Sequence, residues 1–461
     1  MPSKILYDGL NLSLATGTGI ATYTRNLAAT AKQIGYRVSI AYALPCPVPT
    51  DPMLREVALF EGRKERRRKF DRALTWAQAR LGMYRRLTLT DATPSGHVAT
   101  GPIRERLPVL DEIQVGERIF DFARSSFLAH GRLSEMRMRD RPDIAHFTFS
   151  TPLRLPQAAN VYTVHDLVPL RLPYTTLDDK EYFLKLHREI ARTADHIVTV
   201  SEASKQDIIR LLKVPESRVT NTYQAVDIPL HLRRKTSDEV ANEIGGLFGL
   251  EPGGYFLFYG AIEPKKNVGR LLQAFLSSGL DLPLVIVSSS GWQNDHELRI
   301  INDKWFQRRG VAGRRPRPKL KPISYAPYEV LVSLIKGARA VTFPSLYEGF
   351  GLPVLEAMLL GTPVLTSNAA SLPEVAGDAA VLVDPTDVSA IRAGLVALAS
   401  DDDLCRELSR RGKLQAEKFS TDRYRERVAG LYRGLGFEAG REEQISDGVA
   451  GMPYGPALRP T

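Results

Sequence analysis

Apolar and polar residues alternate along most of the chain in one repeating rhythm. Short apolar runs, suited to strands buried on both faces, are separated by stretches whose apolar residues recur every three or four positions, the helical spacing. The first unit reads as a strand at Lys4–Asp8, a glycine loop at Gly17-Thr18-Gly19, a helix over residues 20–34 and a strand over 37–42. The rhythm returns between residues 143 and 222, with apolar runs at Ile144–Phe147, 161–164 and 197–200 and helical patterns at 180–191 and Glu202–Leu212. A stretch rich in Pro, Gly and charge interrupts it at 226–254, and a second series runs from 255 to 384. Such alternation predicts parallel sheets covered by helices, hence an α/β chain of two doubly wound domains.

Two stretches break the pattern. Residues 50–141 do not alternate strand with helix and read as a helical insertion, and the sequence after 437 has little periodicity and several Gly and Pro. The expected organisation is a first domain over 1–235 carrying the insertion and a second over 236–418. A helix at 419–437 would return to the first domain, and 438–461 would form a disordered tail.

Length and composition narrow the picture. The 461 residues allow about three domains or two large ones, and 25% charged with 43% hydrophobic residues excludes wholesale disorder. Two cysteines, Cys46 and Cys405, make neither a disulfide framework nor a metal-ligand pair, so a reducing cytoplasm is expected. The first strand is broken by Asp8 and Asn11, unlike a secretion signal, and no run approaches the ~18 apolar residues of a membrane span. Net charge is 62 − 52 = +10, which asks for an anionic partner, a membrane surface, or nothing beyond solubility.

The densest chemical signal lies at residues 340–367: strand Ala340–Phe343, a loop Pro344-Ser345-Leu346-Tyr347-Glu348-Gly349-Phe350-Gly351, helix Leu352–Leu360 with Pro353 in its first turn, and another strand. Gly349 and Gly351 let backbone approach a ligand closely, and the helix start offers free amides and a positive dipole end, together an anion site at a sheet edge. Glu348 and Glu356 beside it would not bind phosphate, so they are expected to accept hydrogen bonds from sugar or ribose hydroxyls; the alternative is a capped helix with solvated acids. The second signal is Gly260-Ala261-Ile262-Glu263-Pro264-Lys265-Lys266-Asn267 after a strand. Asn267 is expected to cap the following helix, and the lysines sit near its positive end, a conflict that a diphosphate would resolve. Third, His165 and Asp166 end a buried-type strand, where open parallel sheets place ligands. Gly17 and Gly19 lack the third glycine of a dinucleotide fingerprint, Thr22 standing in its place. Phosphate-loop, HExxH, CxxC and GxSxG patterns do not occur.

Taken jointly, PSLYEGFGLPVLEAMLLGTPV with its E-x7-E spacing, GAIEPKKN, SLPEVAGDAAVLVDP, VHDLVPL, VSEASKQDI and GTGIATYTRNL resemble glycosyltransferase family 4. The resemblance covers about residues 5–40 and 143–432. It implies the GT-B architecture, two Rossmann-like domains facing a cleft, and transfer of a sugar from a nucleotide diphosphate sugar with retention and without a metal or other cofactor. By the same resemblance Lys266, with Lys265, binds the diphosphate; Glu348 and the backbone of Gly349, Phe350, Gly351 and Leu352 bind the donor sugar; Glu356 binds the ribose. His165 lies near the reacting sugar, and Gly17 and Gly19 close the cleft. His165, Lys266 and Glu348 are the catalytic candidates. Ala261 stands where many members carry an arginine, which leaves neutralisation to the two lysines. GxxEPKKN with HDLVPL most resembles the mannosyl-transferring branch, which makes GDP-mannose the first donor expectation and a saccharide or lipid-linked saccharide of a cell-surface polysaccharide the acceptor. A nucleotide-sugar epimerase of similar architecture and a basic nucleic-acid-binding protein are the competing readings; no nucleic-acid motif supports the latter.

One feature lies outside that resemblance. Residues 61–86, EGRKERRRKFDRALTWAQARLGMYRR, carry ten basic and three acidic residues, and Phe70, Leu74, Ala77, Leu81 and Tyr84 recur at helical spacing with Trp76 near their edge. Either this face packs on the first domain, or it docks to an anionic membrane surface and makes a cytoplasmic enzyme peripheral at the inner face of the membrane.

Overall fold

The computed structural model describes residues 2–13, 19–61, 69–99, 107–288, 295–303 and 319–440, with side chains of 69–72 and 295–296 outside the description. The first sheet runs, in spatial order, Val219–Asn221, His196–Thr199, Ala159–Thr163, Ile144–Phe147, Lys4–Asp8, Arg37–Leu44, Glu112–Glu117 and Thr90–Asp91. All neighbours are parallel except the last pair. The second sheet is wholly parallel: Leu320–Ile323, Leu284–Val287, Phe256–Tyr259, Ala340–Phe343, Val364–Ser367 and Val381–Val383. Central strands such as Phe256–Tyr259 and Ala340–Phe343 are buried throughout, which is why they read as unbroken apolar runs.

Each sheet is doubly wound. In the second, the chain starts at Phe256–Tyr259, steps outward twice, then returns to the other side of that strand with Ala340–Phe343. Strand order reverses between these two, and ligands bind outside the strand ends at such a switch point. Both signature loops, 260–267 and 344–351, leave these two strands.

The insertion is smaller than expected and is not purely helical. Helices Pro52–Phe60 and Lys69–Arg80 are present, but Glu112–Glu117 is a buried strand paired along Arg37–Leu44. Helix Ile119–His130 follows it, and Arg86–Thr88, Ser134–Arg137 and Leu153–Arg154 form a small second sheet. Gln114 and Gly116 gave the strand a polar look. Gln114 is nonetheless buried, and a Cβ on Gly116 would lie 2.9 Å from the Thr88 carbonyl oxygen, so close packing rather than exposure explains the glycine.

Helix Thr421–Gly434 packs on the first domain's helix Gly19–Ile34. Its Tyr432 hydroxyl lies 2.8 Å from that of Tyr7 and 2.7 Å from His146 Nδ1. The chain then continues beside the first sheet, with Ser3 N donating to Glu438 O and Gly440 N to Gly35 O, so the stretch expected to be disordered from 438 is held through 440; residues 441–461 lie outside the described residues. The two domains also meet where the Tyr347 hydroxyl donates to Asp207 Oδ2 at 2.5 Å and Glu202 N donates to the Glu374 carboxylate at 3.0 Å.

Candidate functional site

Two loops at the second sheet's switch point are tied into one surface. Leu346 N donates to Lys265 O at 2.8 Å, and Asn267 Nδ2 donates to Pro344 O at 2.9 Å and Pro385 O at 2.7 Å. Asn267 therefore does not cap its helix as expected. It occupies the cap position with φ +61° and makes no side-chain cap bond, its amide being turned into the loop junction instead. The lysines sit on a short turn, Pro264–Lys266, immediately ahead of it.

Lys266 Nζ contacts Glu348 Oε1 at 2.6 Å, both side chains largely buried, and lies 4.6 Å from the Phe343 ring centroid. Burial pushes the Glu348 carboxyl up, but Lys266 and Lys265 more than offset this and hold it below the usual range. Lys265 is likewise penalised by burial, yet Glu348, Asp166 and Glu263 raise it. Both lysines face one carboxylate. Ser371 braces the loop, its hydroxyl within 2.9 Å of Glu348 O and 2.8 Å of Phe350 O.

Gly349 and Gly351 are needed for different reasons. A Cβ at Gly349 would lie 2.8 Å from His165 O and 3.1 Å from Asp166 Oδ2, so this glycine lets the second domain's loop touch the strand end of the first. Gly351 has φ +108° at the start of helix Leu352–Leu360, a left-handed conformation that glycine adopts without strain. No side chain caps that helix start; Pro353 has no N–H and Val354 N donates to Gly351 O at 3.0 Å, which leaves the Leu352 amide of the first turn to meet an anion. One turn in, Glu356 Oε2 accepts from the Tyr259 hydroxyl at 2.7 Å, and burial lifts its pKa to about 7.

Across the interface, His165 Nε2 lies 2.9 Å from Thr148 O. A carbonyl only accepts, so Nε2 carries the proton and Nδ1 the lone pair. Burial lowers the imidazole pKa, and the Tyr23 ring meets it edge-on with centroids 4.8 Å apart. Behind it, the Thr148 backbone N and hydroxyl both donate to Asp8 Oδ1. His165 and Lys265 together line a cavity of about 750 Å³ between the domains, with Phe149, Asp121, Arg124 and Asp178 among the other walls.

The structure thus brings together His165, Lys265, Lys266, Glu348, Gly349, Phe350, Gly351 and Leu352, with Glu356 one helical turn behind. Gly19 is exposed at the first residue of its helix, with open space around it; Gly17 lies outside the described residues. Sequence reading missed Asp8, Tyr23, Thr148, Tyr259 and Ser371. Asp8 had a usable signal, an acid at the end of the strand beside the first switch point.

Two parallel-sheet α/β domains that face a cleft, with both signature loops at the second sheet's switch point, make the GT-B architecture. Residues 97–229 match the family described as Glycosyltransferase Family 4, and residues 249–415 the one described as Glycosyl transferases group 1. The O-antigen chain mannosyltransferase B of Escherichia coli is 34% identical over 315 residues, which span 67% of this chain and 79% of that protein. A serotype-specific mannosyltransferase WbdA of the same species is 30% identical over 279 residues, 59% of this chain and 33% of that one. Among solved structures, sucrose-phosphate synthase from Thermosynechococcus elongatus shares the fold with a TM-score of 0.62 over 94% of this chain and 99% of its own, at 16% identity. The chain belongs to glycosyltransferase family 4.

Proposed function

We propose that this glycosyltransferase moves mannose from GDP-mannose, with retention, onto a saccharide or lipid-linked saccharide of a cell-surface polysaccharide. The observation that carries the reading is the buried Lys266–Glu348 pair, 2.6 Å apart, set at the second sheet's switch point, with the following residue, Gly349, packed against the His165 backbone carbonyl. In the free enzyme each group satisfies the other. When a nucleoside diphosphate sugar arrives, its diphosphate takes Glu348's place on Lys266, assisted by Lys265 and the Leu352 amide at the start of helix Leu352–Leu360. Glu348 is released to accept from the sugar's hydroxyls, and Glu356 faces the ribose.

As the bond between the anomeric carbon and phosphate oxygen breaks, its electron pair leaves with the diphosphate. The lysines stabilise the charge that develops there. The acceptor oxygen bonds to the same face of the anomeric carbon, and its proton passes to the departing phosphate oxygen. The sequence offers no obvious covalent nucleophile, which favours this course over double displacement. The mannosyl assignment rests on the short motifs and on the two mannosyltransferases to which the chain is similar. Five acids, Asp121, Asp166, Asp178, Asp179 and Glu263, line the cavity beside His165 with Phe149, against the two cations Arg124 and Lys265, a wall suited to hydroxyls and a sugar face.

Nucleoside diphosphate release tests the reading, measured over a panel of nucleotide sugars with neutral oligosaccharide acceptors. GDP-mannose is expected to give release in proportion to mannosylated acceptor, and release from another donor alone would reassign the sugar. Among the described residues no three His, Cys, Asp or Glu side chains group as metal ligands. Activity is therefore expected to survive a strong chelator; loss restored only by a divalent ion would contradict the metal-free course.

A further inference from the structure

Far from the cleft, the first domain carries a second large cavity, about 710 Å³, walled by arginines. Arg85, Arg86, Arg132, Arg154 and Arg192 line it against two acids, Glu135 and Glu189. The acids are already engaged. Arg154 and Arg86 lie 2.5 and 3.9 Å from Glu135, and Arg192 lies 2.8 Å from Glu189. Arg85 and Arg132 have no carboxylate within ion-pair reach among the described residues. Three unbalanced positive charges around one concavity form an anion site in search of its anion.

Beside this pocket the chain exposes apolar side chains. Of the apolar stripe, Tyr84 is buried, Leu74, Ala77 and Leu81 are exposed, and the Phe70 side chain lies outside the described residues. Helix Lys69–Arg80 lies against helix Ile119–His130, with Thr75 and Ala79 its buried positions, and His130 Nε2 meets Ala79 O at 2.8 Å. Leu74 is 47% exposed, Leu81 81% and Met83 57%. The physical reason is that the helix ends at Arg80 and Gly82 turns left-handed at φ +76°. Tyr84 consequently leaves the helical stripe and stacks on Phe122, centroids 4.0 Å apart. Gly82, between Leu81 and Met83, lies against the Arg85 side chain, a Cβ there meeting its Nε at 3.4 Å, which sets the exposed pair beside the pocket.

Two helices fix where this surface lies. Ile119–His130 and Lys180–Thr193 begin at the cleft, where Phe120, Asp121, Tyr182 and Phe183 line the cavity. Both end at the arginine pocket through His130, Glu189, Arg192 and Thr193. With 12 and 14 residues at ~1.5 Å each, they separate the two cavities by roughly 18–21 Å.

We propose that the arginine pocket and the Leu81–Met83 ridge form a membrane-docking face, in which the pocket holds the phosphate of an anionic lipid headgroup while the ridge enters the acyl boundary. The charge matches, since phosphate is planar-bidentate recognition chemistry for arginine, and the apolar residues lie where headgroups give way to hydrocarbon. The cleft then stands about one helix length above the surface, a distance that a lipid-linked glycan of a few sugars spans.

Vesicle co-sedimentation of the full chain tests this independently of donor or acceptor. Binding is expected to phosphatidylglycerol-containing vesicles, to fall with salt, and to be weak on phosphatidylcholine alone. Arg85→Ser with Arg132→Ser is expected to weaken it roughly thirtyfold, taking about a kilocalorie per mole for each arginine near an anionic surface. Leu81→Ser with Met83→Ser, at exposed positions that folding does not need, is expected to weaken it at least tenfold. In both variants, nucleoside diphosphate release with a soluble acceptor should stay at the parent rate, so a failure of docking is distinguishable from a failure of the proposed transfer. Three results would overturn the proposal: equal binding to neutral vesicles, equal binding of the arginine variant, or equal binding to vesicles made anionic by oleate rather than phosphate. Saturable binding of inorganic pyrophosphate without any vesicle binding would assign the pocket to a soluble anion and also overturn it.

Discussion

Glu348→Gln separates the two roles assigned to the Lys266–Glu348 pair. The substitution keeps the side-chain shape and one acceptor oxygen but removes the charge that faces Lys266 at 2.6 Å. Exposure of the two side chains is 16% and 10%, so solvent screens the pair weakly. Removing one partner of such a pair costs roughly 3–5 kcal/mol. The retained amide oxygen still accepts from Lys266, which brings the expected loss to about 2–3 kcal/mol. At ~2–4 °C per kcal/mol for a domain of this size, unfolding should move down by roughly 4–12 °C. Ligand binding responds with different signs. Lys266 no longer has to leave a carboxylate to meet a diphosphate, so nucleoside diphosphate affinity in titration calorimetry should hold or rise. Turnover should fall by about 10- to 150-fold, the scale of one charged hydrogen bond of about 1.5–3 kcal/mol lost to the sugar. Parallel loss of nucleotide affinity and turnover would refute the division of labour, because it would place Glu348 on the nucleotide.

Lys266→Ala should weaken nucleoside diphosphate binding by about 1.5–3 kcal/mol; unchanged calorimetric affinity would transfer the diphosphate to Lys265 and the loop backbone. Glu356 has a folded pKa of about 7, raised by burial from an ordinary 4.5. Its contribution to stability is therefore full below 4.5 and is lost as pH rises through 7. Glu356→Gln should flatten that decline in thermal unfolding, and an unaltered pH profile would sink the assignment. Tyr432→Phe leaves His146 Nδ1 and the Tyr7 hydroxyl without the partner they meet at 2.7 and 2.8 Å, at a cost of roughly 1–3 kcal/mol. Chemical denaturation should show that loss while limited proteolysis opens the C-terminal helix first, and equal stability would mean the contact is replaced.

Periodicity sufficed for the strands and helices whose burial is uniform. Helices Glu202–Leu212 and Leu352–Leu360 and strands Ile144–Phe147 and Ala340–Phe343 have the limits read from sequence, because an all-buried strand or a one-faced helix writes its environment into consecutive residues. The signature loops were legible for a related reason: Gly349, Gly351 and Pro353 each answer a local backbone demand. Strand Glu112–Glu117 was not legible. Its Gln114 and Gly116 look polar or weak until the neighbouring strand and the Thr88 carbonyl are in place.

Which residue types stand at the sheet edges was determined by sequence alone: two lysines after one strand, two glutamates eight positions apart after another, a histidine after a third. Tertiary structure decided that the first two strands are neighbours at a reversal of order, that Lys266 and Glu348, 82 positions apart in the chain, neutralise each other, and that Gly349 meets His165 across the domain boundary. It also turned Asn267 away from its helix and left Leu81 in solvent. These outcomes depend on partners distant in sequence, and local spacing carries no information about a distant partner's position. A buried charge is stable only where its counterion arrives, and an apolar stripe is buried only where another surface meets it.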